Sequence, residues 1–357
     1  MQDIYAKRRD KVRALMRKQG LDALLVRYAA NRYYLSGFEL HDVQFNESSG
    51  SLIIASSGED YLATDPRYMD VAQTLWPKER LVIYRNNMPE VLTSILRKVG
   101  VSVGLEVDAL SQSFWNELCK EKGFLSFVPV RGLVEEVRSI KDATEIKALE
   151  QSFALNHAML SWLEAQVEPG LSEMDVSWQI ERYFREHGAS ELAFPSIVAV
   201  NEHAARPHAI PDATKIQKES LLLIDVGCRV ADYCSDQTRT FWIGEHPSSR
   251  YLDTVALVRQ AQERAIKMMR PGVTLGSCYE AARDVFLEAG VADSFTHGLG
   301  HGVGLETHEL PSLGPKRSAK LQEGMIVTVE PGLYFPDWGG VRIEHTVVVE
   351  KNSVRIL

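Results

Sequence analysis

The chain has 357 residues, room for two domains at one per roughly 100–200 residues, and its 45% hydrophobic and 25% charged content is that of a globular protein able to bury a core. Against 40 basic side chains stand 48 acidic ones, and the net charge of −8 argues against a nucleic-acid footprint. No stretch approaches the roughly 18 continuous apolar residues of a membrane span, the N-terminus has no apolar leader core, and the four cysteines form no CxxC, so a soluble, reduced, cytoplasmic protein is expected.

The first 130 residues alternate between helix and strand patterns. Residues 5–19 place Val12, Leu15 and Met16 among charges, which predicts a surface helix closed by Gly20. A strand is expected over 21–26, then an aromatic-rich stretch over 31–38 ending in a turn. A hairpin runs from 51–56 to 60–64 across Ser57-Gly58-Glu59. A strand at 81–84, a helix at 89–99 and a strand at 101–106 follow. This alternation predicts an α/β (α+β) domain, a mixed sheet covered by helices, over residues 1–130. The boundary is placed within 129–135. Beyond it, 139–162 carries a long amphipathic pattern built on Ile140, Ile146, Leu149, Phe153, Leu160 and Leu163, which opens a larger domain over 131–357.

That larger domain contains a weak internal repeat. Pro169-Gly170-Leu171-Ser172 opens a helix that closes at Gly188, and Pro271-Gly272-Val273-Thr274 opens another that closes at Gly290, an offset of 102 residues in both motifs. Ser172 and Thr274 suit helix N-caps, and the glycines suit the left-handed position past the C-terminus.

The chemistry concentrates in four places. Leu221-Leu222-Leu223-Ile224 reads as a buried strand with Asp225 at its end, and a buried carboxylate is costly unless paired, hydrogen-bonded or metal-bound. Asp236 lies 11 residues on. A short connection between antiparallel strands would bring the two carboxylates face to face, where they repel unless a cation separates them. A turn at Asp225 and a loop cap at Asp236 fit the same residues. Next, 297–309 holds His297, His301 and His308 among Gly298, Gly300, Gly302 and Gly304. These glycines alternate, unlike a dinucleotide fingerprint, and no P-loop lysine accompanies them. They let backbone pass close to a neighbour, while the histidines suit metal ligation or acid–base work. Finally, Glu330 and Glu344 sit at inward-looking positions on β-branched runs, where either could also be a solvated strand residue. Two Asp, two Glu and one His suit a hard or borderline divalent ion such as Mn²⁺ or Co²⁺. Four carboxylates suffice for two ions, and two ions sharing a water bring its pKa toward neutrality.

In order and spacing, Asp225, Asp236, His301, Glu330 and Glu344 resemble the five metal ligands of the pita-bread metallopeptidases, the superfamily of Xaa-Pro aminopeptidase, prolidase and methionine aminopeptidase. Residues 31–38 and Thr64-Asp65-Pro66-Arg67-Tyr68 are similar to the N-terminal domain of the Xaa-Pro aminopeptidase/prolidase branch, so the resemblance covers nearly the whole chain. It implies a creatinase/prolidase-like mixed-sheet domain followed by a pita-bread catalytic domain with pseudo-twofold duplicated halves. It also implies two divalent ions, Mn or Co foremost, with Zn or Fe as alternatives. Asp225 would chelate one ion, Asp236 and Glu344 would bridge both, and His301 and Glu330 would complete the second. Glu330 would also shuttle the proton of the attacking water. His208 would stabilise the tetrahedral intermediate, His308 would contact substrate, Arg342 would lie near the site, and His297 and Thr238 would support the ligands.

The activity so implied is hydrolysis of the peptide bond preceding proline, releasing the N-terminal residue from Xaa-Pro peptides. Leu310 and Ser312 stand where strict dipeptidases of the family carry an aromatic residue and an arginine that holds the substrate's terminal carboxylate. That difference favours an aminopeptidase over an Xaa-Pro dipeptidase. The resemblance also leaves room for a metal-dependent hydrolase of a small non-peptide amide and for a catalytically inactive binding module. The expected partners are short Xaa-Pro peptides and a second copy of the chain in a homodimer, with neither nucleic acid nor membrane.

Overall fold

A computed structural model describes residues 2–44 and 47–357. The chain divides into two compact units, Met1–Arg138 and Ser139–Leu357.

In the first unit the elements run α1 (Gln2–Lys18), β1 (Ala23–Val26), α2 (Ala29–Ser36), β2 (Gly50–Ala55), β3 (Tyr61–Thr64), α3 (Met69–Leu75), β4 (Leu81–Ile83), α4 (Met88–Val99), β5 (Ser102–Glu106), α5 (Gln112–Glu121), β6 (Ser126–Val130) and α6 (Leu133–Arg138). The six strands form one sheet in the order β4-β3-β2-β1-β5-β6. β1–β2 and β2–β3 pair antiparallel, while β1–β5, β3–β4 and β5–β6 pair parallel, the mixed sheet expected from the alternation. Leu25, Ile53 and Leu105 bury against Leu92, Leu96 and Leu118 of the covering helices. The aromatic-rich stretch is the short helix α2. The unit ends later than residue 130 because α6 packs into it: Leu133 and Val134 are buried, and Arg138 Nη1 donates to Asn31 Oδ1 at 2.7 Å.

The second unit opens with α7 (Ala143–Glu164), started by a capping box between Asp142 and Glu145, so Ile140 lies outside the helix and bridges to Met325 instead. There follow α8 (Glu173–Glu186), β7 (Glu191–Leu192), β8 (Ile197–Val200), β9 (Ser220–Val226), β10 (Cys228–Val230), β11 (Tyr233–Cys234), β12 (Gln237–Ile243), α9 (Ser249–Met268), α10 (Leu275–Glu288), β13 (Gly300–Gly302), β14 (Glu309–Leu313), β15 (Ile326–Val329), β16 (Gly332–Phe335), β17 (Gly339–Arg342), β18 (His345–Val349) and β19 (Val354–Ile356). The two principal sheets are β12-β9-β8 and β14-β13-β15-β18-β19.

The internal repeat is structural. Ser172 caps α8 by accepting from Asp175 N, and Thr274 caps α10 by accepting from Ser277 N. In one copy Gly170 N donates to Ile216 O and Ile216 N to Leu171 O. In the other Gly272 N donates to Leu321 O and Leu321 N to Val273 O. Each pair of helices covers its own sheet. Leu160, Ile180 and Phe184 pack with Val198, Leu222 and Ile224, and Val258, Ala261 and Phe286 pack with Val327, Val329 and Val347. Leu221 and Leu223 join the second cluster while Leu222 and Ile224 join the first. β9 is thus buried on both faces, which is why it reads as an unbroken apolar run. Among the described residues no helix is long and apolar enough to cross a membrane.

Candidate metal centre and substrate cleft

Side chains alternate across a strand, so Asp225 points to the same face of β9 as Leu221 and Leu223 and takes the place of a core residue there. Asp225 is one position from the end of β9, within the strand and not in a turn, and Thr238 of β12 pairs with it. Asp236 immediately precedes β12. The two glutamates sit just beyond strand ends and not within the runs themselves. Val329 and His345 form the last pair of the β15–β18 ladder, and Glu330 and Glu344 emerge on either side of that end. Asp225 and Glu330 are 105 residues apart, the same separation as Ile216 and Leu321. Each half of the duplication therefore brings an equivalent carboxylate to one place.

The convergence is close. Carboxylate oxygens of Asp225, Asp236 and Glu344 all lie within 4.8 Å of one another, and all three residues are buried. His301 Nε2 is 3.5 Å from Asp236 Oδ2 and 3.2 Å from Glu330 Oε1. Its Nδ1 lies 3.0 Å from the Gly302 carbonyl, which can only accept, so Nδ1 carries a hydrogen and Nε2 is turned toward the carboxylates. Gly300 and Gly302 permit this placement. A Cβ at Gly300 would collide with the Thr328 carbonyl, and one at Gly302 with that of Leu310. The close neighbour that these glycines admit is the adjoining strand's backbone.

The electrostatics fit a cation. Burial, together with Glu344, Asp225 and Glu330, pushes the Asp236 carboxyl well above the usual range, and burial with Glu330 and Asp225 does the same to Glu344. Burial opposes charge on Glu330 as well, but the His301 imidazole overrides it and holds Glu330 down to about 2. Burial likewise works against a charged His301, and Glu330 outweighs it, lifting His301 to about 9. Asp225 Oδ1 and Glu344 Oε1 are buried acceptors without a hydrogen-bond partner. A buried acceptor of this kind calls for an explanation, and clustered oxygens with one imidazole provide the donor set of a hard or borderline divalent ion.

A further set of side chains fixes these carboxylates. Arg342 spends every nitrogen on the site: Nη2 donates to Asp225 Oδ2 at 2.7 Å, Nε to Thr238 Oγ1 at 2.9 Å, and Nη1 to the Tyr334 hydroxyl at 2.6 Å. Burial alone would weaken its charge, yet Tyr334, Asp225 and Glu330 hold the guanidinium more firmly protonated than usual. Thr238 Oγ1 in turn donates to Glu344 Oε2 at 3.0 Å. His297 Nδ1 faces the Gly298 carbonyl at 2.7 Å, which leaves Nε2 to accept from the Tyr334 hydroxyl at 2.9 Å. Burial pulls the proton affinity of His297 down, and burial followed by the neighbouring His301 does so for His308. The His301 and His308 rings lie 4.1 Å apart.

Three supporting residues are not marked out in the sequence. Tyr334 links Arg342 to His297. Thr328 Oγ1 accepts from His301 N and donates to Glu330 Oε1, both at 3.0 Å. Gln262 of α9 donates to the carbonyls of Val329 and Ile343, both at 2.8 Å, and so ties the residues that precede the two glutamates. A glutamine in the stripe of Val258, Ala261 and Ala265 is a usable signal for the last. Nothing in the sequence sets Tyr334 or Thr328 apart from other strand residues. Cys228 and Cys234 are buried, and their thiols turn to the backbone carbonyls of Ser152 and Leu305.

A cleft of about 650 Å³ opens onto the cluster. Asp225, Asp236, His301, Glu330 and Arg342 form its floor, and His208, His297 and His308 line it as well. Its remaining wall is largely apolar, with Phe194, Pro195, Ile197, Ile210 and Pro211, and Ser312 lies on its border. Glu344 and Thr238 stand behind the floor, joined to it through Arg342 and Asp225. The ten candidate site residues, Asp225, Asp236, His301, Glu330, Glu344, His208, His297, His308, Arg342 and Thr238, thus fall in or directly behind one cleft, whereas Leu310 is exposed and does not line it.

Residues 147–351 match the model of metallopeptidase family M24, and residues 8–140 match that of the creatinase/prolidase N-terminal domain. The uncharacterized peptidase YqhT of Bacillus subtilis is 31% identical over 349 residues, 98% of this chain and 96% of the relative. The Xaa-Pro dipeptidase of Pyrococcus horikoshii is 31% identical over 358 residues, 99% of this chain and 97% of the relative. Among solved structures, an Xaa-Pro dipeptidase from Bacillus anthracis superposes with a TM-score of 0.92 at 30% identity, covering 99% and 97% of the two chains. An X-Pro aminopeptidase from Thermotoga maritima does so with a TM-score of 0.84 at 29% identity, covering 94% and 95%. The chain therefore belongs to metallopeptidase family M24, a metallopeptidase that carries the creatinase/prolidase N-terminal domain ahead of its catalytic one.

Proposed function

We propose that this metallopeptidase hydrolyses the bond preceding proline in short Xaa-Pro peptides, releasing the N-terminal residue, and that it accepts peptides extended beyond the proline. The observation that carries the reading is the carboxylate–imidazole cluster at the floor of a cleft with an apolar wall. Asp225, Asp236, His301, Glu330 and Glu344 would hold two divalent ions, Mn²⁺ or Co²⁺ foremost and Zn²⁺ or Fe²⁺ as alternatives, with Asp236 and Glu344 serving both. Such a pair supplies the positive charge that acidifies water and polarises a carbonyl.

The chain's own groups do the rest. The apolar wall offers the proline ring a surface, and the tertiary amide has no N–H to satisfy. Glu330 accepts the proton of the attacking water and returns it to the proline nitrogen as that nitrogen departs. His208 and His308 donate to the carbonyl oxygen as charge develops there. Arg342 and Thr238 hold Asp225 and Glu344 in place.

Tolerance of a longer peptide rests on the cleft's cations. Among the described residues Arg342 is the one arginine lining it, no lysine does, and its nitrogens are already engaged. Ser312 offers no charge for a dipeptide's terminal carboxylate. The second reading is a strict Xaa-Pro dipeptidase, the name borne by relatives from Pyrococcus horikoshii and Pyrococcus furiosus. The deciding experiment compares Ala-Pro with Ala-Pro-Ala, using chelator-treated protein resupplied with Mn²⁺, Co²⁺ or Zn²⁺. Faster release of alanine from the tripeptide is expected. Cleavage of the dipeptide alone would establish the second reading, and cleavage of neither would remove the Xaa-Pro assignment.

A further inference from the structure

Glu173, the first residue of α8, is fully buried, although a carboxylate in the interior must find donors. It finds them at both ends of one loop. Oε1 accepts from Val200 N at 2.9 Å, where β8 ends, and Oε2 accepts from Asp212 N at 3.0 Å, 12 residues further on. His203 Nδ1 lies 3.2 Å and 3.3 Å from the same two oxygens, and since a carboxylate only accepts, that nitrogen donates. The carboxylate also sits at a helix N-terminus, where the backbone dipole favours negative charge. Two backbone bonds complete the seam, from Met174 N to Asp212 O and from Glu173 N to Thr214 O, each at 3.1 Å.

Between the two clamped ends runs the wall of the cleft. Pro207, His208, Ala209, Ile210 and Pro211 are five consecutive residues that line it. The Pro207 carbonyl also receives Arg342 Nη1 at 3.3 Å. The loop therefore touches the ligand network in its middle and Glu173 at its base. Glu173, His203 and Asp212 also have the spacing of a cation site. The oxygens of Glu173, however, are taken by N–H groups pointing at them, and an added cation would face those hydrogens.

We propose that Glu173 is a positioning residue. Its carboxylate closes the base of the 200–212 loop and thereby sets His208 at the distance from the ligand cluster that turnover requires. This rests on the reading that the cleft binds the peptide. Catalytic geometry is sensitive to small displacements, and of the bonds that hold this loop the carboxylate's are the ones that join its two ends, so weakening them lets the ends shift against each other.

The test is Glu173→Gln, which keeps the side chain's size but turns an amide NH₂ toward one of the two backbone N–H groups. Amide hydrogen exchange across 200–212 is expected to quicken about 10- to 100-fold, as for loss of a charge-assisted bond. Exchange in α7, α9 and β15 should stay as in the parent protein. With Ala-Pro-Ala, kcat should fall about 10- to 100-fold with a smaller change in KM. In a His208→Ala background the same substitution should cost less than about threefold, because it acts through that side chain. His203→Ala leaves both backbone bonds in place and should keep exchange and turnover within about threefold. Unchanged exchange over 200–212, an equal loss of kcat in both backgrounds, or a His203→Ala variant as impaired as Glu173→Gln would each overturn the proposal. If Glu173→Gln does not fold, Glu173→Asp, with both acceptors one methylene short, is judged by the same measurements. The exchange experiment needs no turnover, so failure of the Xaa-Pro assignment would show separately, as a parent protein that cleaves no peptide.

Discussion

Replacing Asp236 by asparagine is expected to stabilise the ion-free protein while weakening its response to ions. Carboxylate oxygens of Asp225, Asp236 and Glu344 lie within 4.8 Å of one another. Two unit charges at that spacing repel by about 3.5 kcal/mol at an effective dielectric of 20. Proton uptake by Asp236, favoured by burial and by Glu344 and Asp225, relieves part of this, as do the His301 and Arg342 cations. A net gain of about 1–3 kcal/mol remains for Asp236→Asn at pH 8, or roughly 2–12 °C in the melting temperature of a unit this size. Added Mn²⁺ works against that advantage. At a hundred times its Kd an ion stabilises the parent protein by about 2.7 kcal/mol, whereas the variant lacks a ligand proposed to serve both ions and should gain less than half of that. Thermal melts of chelator-treated protein, with and without MnCl₂, read both effects, and elemental analysis counts the ions. A lower melting point for the ion-free variant, or an Mn²⁺ shift equal to that of the parent, would refute the argument from crowded charge.

Tyr334→Phe removes the hydroxyl between Arg342 Nη1 and His297 Nε2. It should cost about 1–3 kcal/mol in stability and lower kcat/KM on Ala-Pro-Ala by at least tenfold, and parent-like kinetics would remove Tyr334 from the network. Gln262→Leu strands the carbonyls of Val329 and Ile343. A loss of about 1–3 kcal/mol is expected in denaturant melts, together with weaker Mn²⁺ binding, and unchanged Mn²⁺ affinity would show that Gln262 does not hold the glutamates. Burial pushes the Cys234 thiol up to about 12, the Cys278 thiol to about 11, and Cys228 upward as well, whereas Cys119 is partly exposed. A thiol reagent should therefore titrate one cysteine rapidly in the native protein and all four after unfolding, and two or more fast thiols would contradict the packing around β10, β11 or α10.

The parts of the fold legible in the sequence are those written in local chemistry. The hairpin across Ser57-Gly58-Glu59, the α1 helix and the double-faced strand β9 can be read because turn residues and apolar periodicity act within a few positions. α2 shows only as an aromatic stretch, since its helical bonds form over a sequence without a strong period. The late end of the first unit is hidden for a different reason: α6 is recruited by the buried Asn31–Arg138 bond, between residues 107 positions apart.

The site divides along the same line. Its candidate ligand chemistry is written in the chain, because a carboxylate closing a run of leucines is costly to bury without a compensating charge or donor, and three histidines crowd into residues 297–308. The duplication is written there too, since cap and turn residues at a constant offset are local signals. Three-dimensional packing alone sets Glu330 and Glu344 at the end of one ladder, lets Arg342 reach Asp225 and Thr238 at once, and makes Gln262, Tyr334 and Glu173 hold these groups still. Those arrangements depend on which distant segments meet and on where each hydrogen bond ends, and a chain's local preferences carry no information about either.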